Sequence, residues 1–197
     1  KQWRKKRGIE GRGVVYPKDM GGGFPFFTMY GKCQHTVDFT AIKVTKVDVD
    51  VMDRVECQQY IEDNIKREVV IVGACTGTDG HFGLERYKGI RAVNMGSQVP
   101  NEVLIAKAIE EKADAILVSQ IVTQKDVHIA NMTNLVELLE AEGIRDKVIL
   151  VCGGPRISHE LAQELGFDAG FGAHSYAEDV ASYVLTELVK RNKAAQK

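Results

Sequence analysis

Hydrophobic and polar positions follow two regimes along this chain. From Val69 to Ala74 the run VVIVGA is apolar without interruption, the pattern of a strand buried on both faces, and shorter apolar runs recur at 91–95, 115–119, 148–152 and 168–171. Between them, at 101–112, 129–142, 159–165 and 176–191, apolar residues return every three or four positions, as on one face of a helix. A further helical stretch, 55–66, leads into the first run. Strands alternating with helices predict a parallel α/β sheet. Five strands in this size class favour the flavodoxin-like, Rossmann-like order, with a ligand site at the carboxyl ends of the strands near the topological switch point. Residues 1–52 follow another rule: Gly21-Gly22-Gly23 marks a turn, and FPFFTMYGKC and HTVDFTAIKVTKVDVDV read as strands. A small β-rich N-terminal region over 1–54 and an α/β domain over 55–197 are expected. Lys1 to Arg7, closed by Gly8, reads as a helix end.

One connection is short. A parallel crossover needs about a dozen residues and usually a helix. Between Ala74 and Arg91, however, lie Gly77, Gly80, Gly83 and Gly89, which leave room for at most about two helical turns over 82–88.

Composition narrows the function classes. Of 197 residues, 44% are hydrophobic and 27% charged, enough apolar material for one real core. With 26 Lys+Arg against 27 Asp+Glu the net charge of -1 gives no argument for nucleic acid or an anionic membrane as partner. The basic cluster before Asp19 lacks interleaved stacking aromatics and reads as a solvated helix end. No apolar run approaches the roughly 18 residues of a membrane span and no signal peptide opens the chain, so a cytoplasmic protein is expected. Cys33, Cys57, Cys75 and Cys152 show no C-x-x-C spacing and are expected as reduced, mostly buried thiols. His35, His128, His159 and His174 lack ligand spacing to one another and are expected in loops or caps, and Lys88 on a solvated helix.

The chemistry gathers after the strands. Cys75-Thr76-Gly77-Thr78-Asp79-Gly80-His81 follows the first, Ser119 to Gln124 the third, Gly153-Gly154-Pro155-Arg156 the fourth and Gly172-Ala173-His174-Ser175 the fifth. Glycines admit a ligand close to backbone, and hydroxyls with helix N-terminal N–H groups suit phosphate-like or amide-bearing groups. Gly73, Gly77 and Gly80 have the wrong spacing for a dinucleotide fingerprint, and Thr78-Asp79 offers no P-loop lysine. A receiver domain would need an acidic phosphoacceptor where Ser119 stands. A flavin module on Thr76 to Thr78 stays open as an alternative, although the third loop offers no aromatic for the ring.

With the loops in that order, the sequence resembles the adenosylcobalamin-binding subunits of the cobalamin- and pyridoxal-phosphate-dependent aminomutases, lysine 5,6-aminomutase among them. The resemblance spans nearly the whole chain. It is carried by YGKCQHTVDFTAIKV from Tyr30, VVIVGACTGTD from Val69, GHFGLERY from Gly80, NMGSQVPNE from Asn94, LVSQIVTQKDVHIAN from Leu117, LLEAEGIRDKVILVCGGPRI from Leu138 and GFDAGFG from Gly166. It implies adenosylcobalamin lined by Thr78, Asp79, Leu117, Ser119, Val122, Thr123, Gln124, Gly153, Gly154, Pro155, Phe171 and Gly172. The first 54 residues would be a truncated α+β region of dimerisation type. The larger α subunit, of TIM-barrel type, would hold pyridoxal phosphate and substrate in an α2β2 heterotetramer. The implied reaction is a radical 1,2-amino migration on D-lysine or β-lysine, an isomerisation this chain would not perform alone.

The match breaks at one place. The family's cobalt ligand lies in Asp-x-His-x-x-Gly, whereas here Asp79-Gly80-His81 is followed by Phe82-Gly83, one residue early. On this alignment about one helix is missing between Asp79 and Gly80, the segment that in the family holds both the cobalt-ligating His and the lysine bonded to pyridoxal phosphate. His81 is therefore only a weak metal candidate, and neither role passes to a residue of this chain. Three readings stay open at this stage: a longer intact protein, a cobalamin-binding homologue without the chemistry, and a deliberate deletion.

Overall fold

The computed structural model describes residues 47–74, 83–120, 127–173 and 175–195. The chain divides into two units, Lys1–Val44 and Thr45–Lys197, and the described residues all belong to the second. The expectations for the N-terminal region, for Cys33, Cys75, His35, His81 and His174, and for Thr78, Asp79, Val122, Thr123 and Gln124 fall outside the described residues.

Five parallel strands form one sheet: β1 (Val69–Ala74), β2 (Ile90–Asn94), β3 (Ala115–Ser119), β4 (Ile149–Gly153) and β5 (Ala169–Phe171). Their order is β2-β1-β3-β4-β5, the flavodoxin-like arrangement, with the switch point between β1 and β3. Each helix runs back from the carboxyl edge: α1 (Arg54–Asn64) precedes β1, α2 (Asn101–Glu111) follows β2, α3 (Val127–Ala141) follows β3, α4 (His159–Glu164) follows β4 and α5 (Ala177–Ala195) follows β5. Two hydrophobic clusters cover the two faces of the sheet. Ile71, Leu117, Val151 and Phe171 pack with Cys57 and Ile61 of α1 and Leu185 and Leu188 of α5. Val72, Ile116, Val118 and Cys152 pack with Leu104 of α2, Leu135 of α3 and Ala162 of α4. Successive strand residues alternate between the clusters, as the pleat requires.

Aspartates placed just before two strands fix the register. Asp114 accepts from the Val70 backbone N–H at 2.9 Å and binds Arg67, while Asp168 accepts from the Leu150 N–H at 2.7 Å and binds Arg145 and Arg191. These pairs tie neighbouring strands together at the edge away from the ligand loops.

The short crossover is resolved in an unexpected way. Between β1 and β2 the described residues form only a single 3-10 turn, Leu84–Arg86, in place of the helix sought over 82–88, and Lys88 lies in an exposed turn, not on a helix. The sheet face beside that connection is covered by α1. Asp53 opens α1 with a capping box, accepting from Val55 and Glu56 N–H while Glu56 accepts from Asp53 N–H. The Gln58 side chain then pairs with both backbone groups of Lys88, accepting from its N–H at 2.9 Å and donating to its carbonyl at 3.2 Å. At the far side, Met52 N–H donates to Ser182 Oγ on α5 at 2.9 Å. A helix that precedes the sheet thus seals the layer that a crossover helix would fill.

Candidate functional site

The pleat and the ladder register place four of the expected residues on one face of the sheet. Ser119 lies opposite Gly153 and Gly153 opposite Phe171, forming the last row at the carboxyl edge. In the row beneath, Gly73, Leu117, Val151 and Ala169 stand side by side. Both rows face α1 and α5, because Leu117, Val151 and Phe171 belong to that cluster and side chains two apart share a face. A hydroxymethyl and two glycine hydrogens are all that Ser119, Gly153 and Gly73 contribute across the three central strands. Ser119 and Gly153 are half-buried whereas Leu117 and Phe171 are 5% and 6% exposed. Among the described residues, side-chain volume is therefore low on this face at the carboxyl edge, above buried Leu117 and Val151 and beside Phe171, and this strip is the candidate recess. Tyr183 of α5 backs Phe171 edge-on, at 6.0 Å between ring centroids and 69° between planes.

The loop glycines divide into two kinds. At Gly153 an added Cβ would meet, among the described residues, only the Phe171 carbonyl, at an ordinary contact distance of 3.4 Å. At Gly154, with φ +150°, a Cβ would lie 2.2 Å from the Gln120 carbonyl oxygen, and at Gly172 it would lie 2.4 Å from that of Ile157. These two glycines let the loops pack on one another. Gln120 N–H donates to the Gly153 carbonyl at 2.7 Å and Gly154 N–H to that of Phe171 at 3.1 Å, which zips the starts of three loops together. Pro155 follows in an exposed turn.

Buried side-chain polar atoms without a hydrogen-bond partner occur, among the described residues, at Arg86 Nε, Tyr87 OH and His128 Nδ1. All three belong to the segments that follow β1 and β3, the two strands flanking the switch point. His128, expected in a loop or cap, is the second residue of α3 and is buried. His159 opens α4, and its Nδ1 accepts from Gly170 N–H at 3.4 Å. Among the described residues no three His, Cys, Asp or Glu side chains are grouped to hold a metal ion. Cys57 and Cys152 are free and buried; burial pushes the Cys152 thiol up to about 12. Gly73 lies in the lower row and Tyr183 packs on Phe171, and neither was among the residues expected. Gly73 was legible as the position two beyond Ile71 on the same face, whereas Tyr183 required the docking of α5.

This site and fold define a corrinoid-binding module: residues 69–181 match the family described as B12 binding domain. A cobalamin-binding protein from Desulfitobacterium hafniense DCB-2 shares the fold, with a TM-score of 0.51 at 20% identity over 68% of this chain and 66% of that one. Residues 1–46 match the dimerisation domain of D-ornithine 4,5-aminomutase. The chain is 56% identical to the lysine 5,6-aminomutase beta subunit of Fusobacterium nucleatum, covering 96% of this chain and 78% of that one. It is 48% identical to the beta subunit of the same name from Acetoanaerobium sticklandii, covering 97% and 79%. It belongs to the lysine 5,6-aminomutase beta subunit family. The first of these alignments extends over 206 positions, more than the whole of this chain, so the relative carries residues within the matched span that have no counterpart here.

Among the described residues no helix is long and apolar enough to cross a membrane.

Proposed function

We infer that this chain is the cobalamin-binding subunit of a lysine 5,6-aminomutase, an isomerase that moves the terminal amino group of lysine to the neighbouring carbon and works only with a second subunit. The observation that carries the site assignment is the row Ser119–Gly153–Phe171 above Gly73 and Leu117, where three central strands give up side-chain volume on one face at the carboxyl edge. A flat group with polar appendages fits such a recess: Leu117, Val151 and Phe171 offer apolar contact, Ser119 a hydroxyl, and the bare backbone at Gly153 a close approach. Adenosylcobalamin, when bound, supplies the carbon-centred radical that begins the migration.

Within this reading Ser119, Gly153, Leu117 and Phe171 receive the nucleotide tail of the cofactor, and Tyr183 keeps Phe171 in place. Gly154 and Gly172 hold the third, fourth and fifth loops in register around it. Thr78 and Asp79, with Val122, Thr123 and Gln124, complete the lining by resemblance. Pyridoxal phosphate belongs to the partner subunit. The partner we propose is a larger α subunit of TIM-barrel type in an α2β2 assembly, supported by the family's division of labour and by the dimerisation-domain match over 1–46. Tyr176, Val55 and Val51, at the N-terminal ends of α5 and α1, are 70%, 75% and 55% exposed and give the carboxyl-edge side an apolar rim suited to such a partner.

Titration of the purified chain with adenosylcobalamin, followed by the visible spectrum and by calorimetry, tests the assignment. Saturable binding at one site per chain is expected, with lysine isomerisation appearing only when the larger subunit and pyridoxal phosphate are added. A chain that leaves the cobalamin spectrum and heat unchanged contradicts the reading.

A further inference from the structure

Residues 47–52, which lead into α1, lie along α5 as a strap held at its two ends. At one end Val47 packs on the core cluster that contains Phe171 and Leu185. With Asp48 and Val49 it lines a cavity of about 280 Å³ that is also lined by His159 of α4 and by Tyr183, Thr186 and Lys190 of α5. At the other end Met52 packs on the same cluster and is pinned to Ser182, which is fully buried. The Met52 N–H donates to Ser182 Oγ at 2.9 Å, and that hydroxyl lies 2.7 Å from the Glu178 carbonyl and 3.4 Å from the Met52 carbonyl. The strap thus spans the part of α5 that carries Tyr183, the ring that meets Phe171 edge-on.

Between its ends the strap is lightly held. Its backbone hydrogen bond there, from Val49 N–H to the Val47 carbonyl at 3.0 Å, stays within the strap itself. Asp48 and Asp50 are exposed, and Val49 borders the cavity without filling it. A segment with few buried apolar contacts and an exposed backbone opens at a lower free energy than the sheet beneath it. Opening removes Val47 and Met52 from the cluster that seats α5, and α5 supplies the ring behind Phe171. We propose that residues 47–52 are a releasable strap, with Val47 and Ser182 as its positioning residues: docked, it seats α5 and Tyr183 behind Phe171 and favours the bound corrinoid, and released, it weakens binding. The inference rests on the strip Ser119–Gly153–Phe171 being the cofactor site, and it adds a control exerted where the chain enters the domain. Such a coupling is reciprocal, so the bound cofactor holds the strap down by the same factor.

Two measurements on the full chain test it. In the wild type, adenosylcobalamin slows hydrogen exchange at the Met52 N–H about tenfold, within the usual range of such couplings. The Glu142 N–H, bonded to the Leu138 carbonyl at the far end of α3, exchanges as before. In the double variant Val47→Asp, Ser182→Ala, which removes both holds, affinity for adenosylcobalamin falls by the same factor while thermal unfolding stays cooperative. Val47→Ile, which keeps the apolar contact, binds as the wild type does. Met52 exchange that ignores the cofactor overturns the proposal without any substitution, and it decides alone if the double variant does not fold. A folded double variant with wild-type affinity overturns it equally. A wild-type chain that binds no adenosylcobalamin overturns the reading of the cofactor site, and the strap's role with it.

Discussion

Ser119 and Gly153 face each other across the β3–β4 ladder, half-buried, and carry between them nothing larger than a hydroxymethyl. Their neighbours one row down are buried Leu117 and Val151. The contrast within two rows of the same strands makes the recess a local feature and gives it a direct test.

Gly153→Ala places one methyl group in the recess at an ordinary 3.4 Å contact with the Phe171 carbonyl. The fold tolerates it, with a change in stability below about 1 kcal/mol, as for a strand position that accepts a side chain. Cobalamin affinity falls about tenfold, since the methyl occupies space the ligand needs and overpacking of this size costs about 1–3 kcal/mol. Adding Ser119→Val deepens the loss. Chemical denaturation and spectral titration of the same samples separate the two effects.

Gly154→Ala behaves in the opposite sense. With φ at +150° and a Cβ 2.2 Å from the Gln120 carbonyl oxygen, the substitution displaces the loop after β4 from that after β3. A loss of more than about 2 kcal/mol in urea denaturation is expected, combining backbone strain with the hard contact. Stability unchanged by Gly154→Ala would show that the zipped loops do not depend on this glycine.

Alkaline conditions should weaken the domain through two buried groups. Burial holds the Tyr183 phenol up at about 12, reinforced by Asp168 and Glu187, and burial raises the Cys152 thiol to about 12 from the ordinary 9. Both groups are neutral when protonated, and both folded values lie above the unfolded ones. Their contribution is complete below about pH 9 and is lost as pH rises from there through 12. Urea midpoints measured at pH 8, 10 and 11 should fall in that order. Tyr183→Phe should flatten the upper part of the decline while costing about 1 kcal/mol at pH 8, the hydroxyl's 3.1 Å hydrogen bond to the Asp168 carbonyl being lost.

His81→Ala should leave cobalamin affinity within about twofold of the wild type, an energy difference under about 0.5 kcal/mol. The spacing Asp79-Gly80-His81-Phe82-Gly83 does not reproduce the family's ligand motif. A large affinity loss with a changed visible spectrum would identify His81 as the metal's protein ligand.

Much of the architecture was legible because buried parallel strands carry a strong local signal. The β3 boundaries at Ala115 and Ser119 follow from the apolar run AILVS between Asp114 and Gln120, and β4 is displaced by one residue because Val148 still reads as apolar before the ladder begins. The candidate site was readable as loops at one sheet edge, and period-two alternation alone orders Leu117 with Ser119. The sealing role of α1 was not readable: it depends on Gln58 meeting Lys88 and Met52 meeting Ser182, contacts between residues 30 and 130 positions apart. The distinction between Gly153 and Gly154 was likewise invisible, because the two letters are identical and only the approach of Gln120 and Phe171 separates them.

The pairing of α1 with α5 also sets an order of assembly. The helix that covers one side of the sheet is among the first parts of the domain to leave the ribosome, and the helix that locks it, through Ser182, is the last. Until α5 arrives, Leu117 and Phe171 lie under an unfinished layer, so the pocket is completed only when synthesis of the domain is nearly over.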